Sequence, residues 1–387
     1  MKKLLLLFLI IIVSWLYLLE DEYSAVLDSN TIVLGQSSAL SGPAQSLGQN
    51  MNKGAQSYFK YINENGGVHG RNISLISYDD SYEPHYAVKN TIKLIKEDKV
   101  FALFGEVGTP TSIAVTPLAV EHKVPFLTPF TGAEFLRSPF ESLYINLRAS
   151  YYMETDALVE YLTSKCISKI SILYQNDGYG KAGYSGVIKA LNKRNMKLSS
   201  EGRYRRNTLS YFNAFKSIKA SKPEAIIIIG AYKQSAEFTK YAKSKGMSDV
   251  MFCNISFVGS KALVHKLEGQ TKNVIISQVV PLPWDSSNKA VKEYQSIYKK
   301  YYPNDSFGFV SLEGFLSAKL VVKALELAGK DLSRENFIEA FEKLKKDALD
   351  GLEIHINSKI HQALDNVYIT KFEDSKFIQI KEIHYGH

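Results

Sequence analysis

The feature that most constrains this chain is an alternation: from Thr31 onward short apolar runs recur, each followed by a stretch with helical spacing. The runs Ile32–Leu34, Ile73–Tyr78, Phe101–Phe104, Pro125–Leu127, Leu143–Leu147, Ile170–Tyr174, Ala225–Ile229, Val250–Phe252 and Val274–Val279 are mostly continuous in apolar character. That suits strands buried on both faces of a parallel sheet. Between them, Val88, Ile92 and Ile95 share one stripe after Pro84, and Val291, Tyr294, Ile297, Tyr298 and Tyr301 do the same before Pro303 stops the run. Asn65, Gly66 and Gly67 close a helix that begins near Asn50. Regular alternation of this kind predicts an α/β fold with right-handed crossovers.

At 387 residues the chain exceeds one compact core of ordinary size, so two α/β lobes are expected. One strand series ends near Leu147 and a second runs from about Ile170 to Phe252. After Val279 the pattern turns to long helices, among them Leu312–Ala328 and Ser333–Lys346, with no complete third series. A segment unable to build its own domain completes an earlier one. The chain therefore crosses more than once between two doubly wound parallel-sheet lobes, which makes a hinge.

Ahead of this region Lys2 and Lys3 precede an uncharged apolar run, Leu4–Leu19, and Glu20, Asp21 and Glu22 follow. That is the form of a secretory signal, so residues 1–22 are expected to be a signal peptide or an uncleaved anchor, and the protein to be exported. Cys166 and Cys253 are the two cysteines. Spacing does not decide whether they pair, and two separate, partly buried thiols are the expectation. The net charge of +8 comes from Lys and Arg scattered over helical segments. The tight clusters Arg203, Arg205, Arg206 and Lys343, Lys345, Lys346 come with no nucleic-acid-binding motif, so they read as solvated surface and no nucleic-acid partner is expected.

Chemistry enters at the loops after the strands. Gly105–Thr109 and Thr128–Gly132 end two neighbouring runs in register. Thr109, Thr131 and open backbone amides then lie at the carboxyl ends of parallel strands, where open α/β sheets bind small molecules. Amides at a helix N-terminus bind carboxylates well. Gly178-Tyr179-Gly180-Lys181-Ala182-Gly183 fits a G-x-G-x-x-G pattern, with Glu201 where an acidic residue would meet a ribose. Its front spacing fails, because Gln175, Asn176 and Asp177 intervene after Tyr174. These glycines read instead as a flexible loop presenting Asp177 and Tyr179. Asp79-Asp80 has no complementary acid, base or nucleophile, and reads as a helix cap or a cleft-facing turn. No Walker A, HExxH, GxSxG or Cys-x-x-Cys pattern occurs, and the eight histidines are dispersed. Neither an enzyme nor a metal or cofactor site is expected.

In order and spacing, Ser41-Gly42-Pro43, Asn65-Gly66-Gly67-Val68-His69-Gly70-Arg71, Tyr78-Asp79-Asp80, Gly105–Thr109, Thr128-Pro129-Phe130-Thr131-Gly132 and Tyr174–Gly180 resemble the substrate-binding proteins of branched-chain amino-acid ABC importers. These form the type I periplasmic binding protein family. The resemblance runs from about Ile32 to the C-terminus. It implies two doubly wound lobes joined by three crossovers, residues 30–148 plus 281–354 and residues 149–280 plus 355–387. The ligand would be enclosed between them and the closed form presented to an ABC permease in the inner membrane. Matched position by position, the ligand carboxylate falls to Gly108, Thr109, Phe130 and Gly132, with Thr131 beside Gly132 supplying the hydroxyl usual there. The second lobe contributes Tyr179 and Tyr232, and Leu47 takes an aromatic position on the first lobe's rim.

The acidic residue that meets an amino acid's ammonium group in the family aligns with Ser256 in this chain. Losing that charge-assisted hydrogen bond, ~1.5–3 kcal/mol, weakens amino-acid binding roughly 10- to 150-fold unless Glu106 or Asp177 substitutes. Leucine, isoleucine and valine are therefore not the expected ligands, and an organic or aromatic acid, an amide or an atypical amino acid stays open. The function that follows is a periplasmic, non-enzymatic solute-binding protein of an ABC importer. The alternative is a sensory ligand-binding module that signals to a membrane partner.

Overall fold

The computed structural model describes residues 30–385; the expected signal or anchor segment, residues 1–22, lies outside them. Five parallel strands form the first sheet: β1 (Thr31–Ser38), β2 (Asn72–Asp79), β3 (Ala102–Phe104), β4 (Phe126–Leu127) and β5 (Tyr144–Ile145), in the order β2-β1-β3-β4-β5. Helices α1 (Gln45–Glu64), α2 (Pro84–Lys96) and α3 (Thr109–Glu121) return the chain between them. Each strand therefore ends at the same edge of the sheet, and that edge carries the loops singled out above.

The second sheet has the order β12-β11-β10-β9-β8-β6-β7. Its parallel part is β6 (Ile170–Gln175), β7 (Ser200–Tyr204), β8 (Ala225–Ile229), β9 (Met251–Asn254) and β10 (Val274–Gln278), with helices α4 (Tyr151–Ser164), α5 (Gly178–Asn192), α6 (Phe212–Ala220), α7 (Tyr232–Ser244) and α8 (Ser260–Leu267). β6 and β8 are buried at every residue, as strands covered on both faces of a parallel sheet are.

Two elements depart from a purely parallel reading. β11 (Asn366–Glu373) runs antiparallel to β10, and β12 (Lys376–His384) antiparallel to β11, joined by Asp374 and Ser375 at φ 50° and 61°. Two consecutive left-handed residues make the hairpin turn whose twist matches its strands. β7 also escapes an apolar-run search, because as an edge strand it buries only Gly202 and Tyr204.

The long helices after β10 return to the first sheet. α9 (Lys289–Tyr301) starts under an Asn288 cap and carries the Val291–Tyr301 stripe, and α10 (Phe309–Ala328) packs along α1, with Phe315 edge-on to Tyr58 at 4.9 Å. α11 (Arg334–Glu342) sets Phe337 5.2 Å from Phe101 and ends short of the predicted Lys346. The chain thus passes between the sheets after β5, after β10 and before β11. The first and third passages lie side by side, since Asn146 bridges Gln362 and the Leu364 N–H donates to the Leu147 carbonyl at 2.7 Å.

Both thiols are free, but the expectation of two partly buried ones is corrected. Cys166 is exposed just past the end of α4, and Cys253 is fully buried in β9. Among the described residues no helix is long and apolar enough to cross a membrane.

Candidate functional site

The two Gly-Thr-Pro loops are tied to each other before they touch anything else. Phe130 N–H donates to the Glu106 carbonyl at 2.7 Å and Gly108 N–H to the Phe130 carbonyl at 3.3 Å. Gly108 sits at φ 108°, and a Cβ there would lie 2.2 Å from the Tyr82 ring. Only glycine lets that ring close over the loop. Thr109 opens α3, whereas the loop of Thr131 leads only into a short 3-10 turn, Glu134–Leu136. One helix N-terminus is available, not two.

The hydroxyls form a chain. Thr109 Oγ1 and Thr131 Oγ1 are 2.6 Å apart, and Thr131 Oγ1 donates to Tyr151 Oη at 3.2 Å. A Cβ on Gly132 would lie 2.6 Å from the Tyr151 ring, so this tyrosine occupies the space that a hydroxyl residue at 132 would need.

From the opposite sheet, Tyr179 is fixed by helix geometry. α5 opens at Gly178, and the Asp177 carboxylate accepts the N–H groups of Tyr179 at 3.0 Å and Gly180 at 3.4 Å as an N-cap. The flexible-loop reading of these glycines is therefore corrected: they are helical and tightly packed. A Cβ on Gly180 would lie 1.6 Å from the Gln175 carbonyl oxygen. The Tyr179 ring lies 4.5 Å from Phe257 and 5.6 Å from Tyr151, and its buried hydroxyl has no partner. Burial pushes the Tyr82, Tyr151 and Tyr179 hydroxyls above their ordinary range, so all three stay neutral and can both donate and accept.

Gly108, Thr109, Phe130, Thr131, Gly132 and Tyr179 thus gather around Tyr151 and Phe257. Tyr232 and Leu47 stand to one side, where Tyr232 Oη is 3.5 Å from Ser46 N and Leu47 packs against Gly259. Ser256 is engaged from behind: its N–H and its hydroxyl donate to the Glu154 carboxylate at 2.7 and 2.9 Å, and Ser277 Oγ adds a third bond at 2.6 Å. Glu154 is buried, and burial raises its carboxyl above the ordinary value, against Arg148 and these hydrogen bonds.

The two expected substitute carboxylates lie in different settings. Glu106 is buried and held well above the ordinary carboxylate range by burial, reinforced by Asp80. Asp177 caps α5 and also accepts from Gln175 Nε2 at 2.7 Å and Arg206 Nη1 at 3.1 Å.

Several residues of this region were not singled out as site residues from the sequence. Phe257 projects from the second sheet between Tyr82, Phe130 and Tyr179, at ring distances of 5.9, 5.5 and 4.5 Å. Arg206, read as solvated surface, instead joins Asp177 to Glu83 at 2.8 Å, and Asn207 donates to the same Glu83 at 2.7 Å. Arg148 makes a bidentate pair with Glu313, both bonds at 2.8 Å, and lies over the Phe130 ring at 4.3 Å.

Two α/β lobes whose facing edges meet in one buried cluster of aromatic rings and hydroxyls define a bilobal binding protein. The chain belongs to the periplasmic binding protein family, whose model matches residues 31–376. Among solved structures it is similar to a "possible leucine/isoleucine/valine-binding protein" from Rhodopirellula baltica, at 33% identity and a TM-score of 0.87 over 92% of this chain and 97% of that one. A leucine-, isoleucine-, valine-, threonine- and alanine-binding protein of Pseudomonas aeruginosa is 20% identical over 310 residues, 80% of this chain and 81% of the relative. An amino acid binding protein of the same species is 24% identical over 223 residues, 56% of this chain and 58% of the relative.

Proposed function

We propose that the protein is the periplasmic solute-binding component of an ABC importer, closing its lobes around one small polar ligand and delivering it to a permease in the inner membrane. The lobes are residues 30–148 plus 281–354 and residues 149–280 plus 355–387. The observation that carries this reading is the meeting of Thr109 and Thr131 from one lobe with Tyr151 and the unpartnered Tyr179 hydroxyl from the other. Neither lobe owns the site alone, so a ligand binds the shut arrangement better than the open one and shifts the population toward it.

In this reading the α3 N-terminus with Thr109 and Thr131 receives a carboxylate or amide oxygen. At the far side, Glu154 keeps a carboxylate one residue behind Ser256, reached through the Ser256 hydroxyl. The ligand class is an amino acid, an amide or a small carboxylate. The Thr109, Thr131 and Tyr151 hydroxyls bond one another rather than a histidine or carboxylate, which fits binding and not catalysis, as do the names of the relatives.

A thermal-shift screen of amino acids, amides and small carboxylates tests this. A true ligand at 100 times its Kd adds about 2.7 kcal/mol of stability, and Thr109→Ala weakens that ligand about tenfold while leaving unliganded melting unchanged. A screen without any stabilising compound, or a Thr109→Ala protein that binds as well as the parent, overturns the assignment.

A further inference from the structure

To one side of the Thr109 cluster the two lobes leave a concavity of about 980 Å³, at the upper end of the roughly 300–1,000 Å³ typical of small-molecule sites. Its walls are Val264 of α8, Leu282 and Trp284 from the segment after β10, Phe309 at the start of α10 and Phe377 of β12. Trp284 stacks on Phe377 at 5.5 Å with 9° between the planes and meets Phe309 edge-on at 5.7 Å. It remains 42% exposed. Gly259, on the groove's wall, packs against the Leu47 side chain, and none of Thr109, Thr131, Tyr151 and Tyr179 lines the groove.

The charged lining is one-sided. Lys261, Lys266, Lys376 and His265 border the groove against a single carboxylate, Asp285, which is occupied by the Ser287 N–H and hydroxyl at 3.0 and 2.6 Å. Lys261 reaches the Ser306 carbonyl at 2.9 Å, on the groove's other bank. The first residues of α7, α8 and α10, Tyr232, Ser260 and Phe309, also line it, so three helix N-termini add positive ends. An aromatic trough with a cationic rim is complementary to one kind of small molecule: an apolar chain that ends in an anion.

We propose that this groove binds a medium-chain fatty carboxylate, with its alkyl chain along Trp284, Phe309 and Phe377 and its carboxylate among the lysines. This site is independent of the crevice ligand. Trp15 and Trp284 are the two tryptophans, so the full chain carrying Trp15→Phe reports from Trp284 alone.

Octanoate, decanoate and dodecanoate are titrated into that protein below their micelle concentrations, beside decyltrimethylammonium. The expected result is a saturable change in Trp284 emission, with affinity rising roughly three- to fourfold per added methylene and decanoate at least about tenfold tighter than the ammonium compound. Val264→Phe, which fills the groove, weakens decanoate about tenfold or more. Lys376→Glu, on the exposed rim, narrows the preference for carboxylate and serves where Val264→Phe melts early. Thr109→Ala leaves the Trp284 response intact, so failure here and failure of the crevice reading are told apart. No saturable change, equal binding of carboxylate and ammonium, or a normally folded Val264→Phe protein that binds decanoate unchanged overturns the proposal.

Discussion

Tyr179 carries a fully buried hydroxyl with no hydrogen-bond partner. A buried group left unsatisfied costs about 1–3 kcal/mol, and a ligand that bonds it removes that cost. Tyr179→Phe is therefore expected to stabilise the unliganded protein by about 1 kcal/mol in urea denaturation while weakening the ligand. Lower stability with unchanged affinity would contradict this. Asp80 sets a pH dependence. Burial pushes its carboxyl up to about 7 from an ordinary 3.8, with Asp79 and Glu83 adding to the rise and the Tyr82 N–H and Ser37 hydroxyl opposing it. A folded-state value above the unfolded one means that the stability contributed is full below about pH 4 and is lost as pH rises through about 7. Urea midpoints at pH 4.5, 6 and 7.5 should fall less steeply in Asp80→Asn than in the parent, and parallel slopes would refute the assignment. At this scale the sequence singled out Thr109, Thr131 and Tyr179, which the structure brings near one another around Tyr151, because small hydroxyl residues and glycines at strand ends mark the carboxyl edge of a parallel sheet. It could not disclose that Tyr82 and Phe257 meet, because each ring comes from a different lobe.

Two elements position the crevice. The first turn of α5 lies so close to the end of β6 that Gly180→Ala drives its Cβ into the Gln175 carbonyl. A loss of about 3 kcal/mol is expected by thermal or chemical unfolding, and an unaffected protein would show that the turn relaxes freely. The second element is the segment after β7, where Arg206 and Asn207 grasp Glu83 ahead of α2 and Arg206 also holds Asp177. These partly exposed pairs contribute about 1 kcal/mol at most, enough to change the closed population about fivefold. Arg206→Ala should expand the unliganded protein in small-angle scattering and weaken the ligand severalfold, as should high salt; an unchanged radius with unchanged affinity would rule out this role. The basic cluster around Arg206 was legible but its partners were not, because Glu83 is distant in sequence. The β11–β12 hairpin went unread for a local reason. Its Asp374-Ser375 turn lacks the glycine that usually announces such a turn.

At the scale of the whole molecule, the alternation of strands and helices was enough to predict two lobes, since each parallel strand requires a crossover helix. The return of α9, α10 and α11 to the first lobe was also foreseeable, because three helices without strands cannot bury their apolar faces alone. The direction of the last two strands was not, as alternating residues in a hairpin fit either orientation at a sheet edge. The proposed site draws on both lobes, and this can be measured. The compound giving the largest thermal stabilisation is titrated calorimetrically into the parent, Thr109→Ala, Tyr179→Phe and the double variant. Shared grip by both lobes predicts that each single change weakens binding about tenfold, with a coupling of at least about 0.5 kcal/mol between them. Binding that depends on one lobe alone, or on neither, would contradict a ligand held between them.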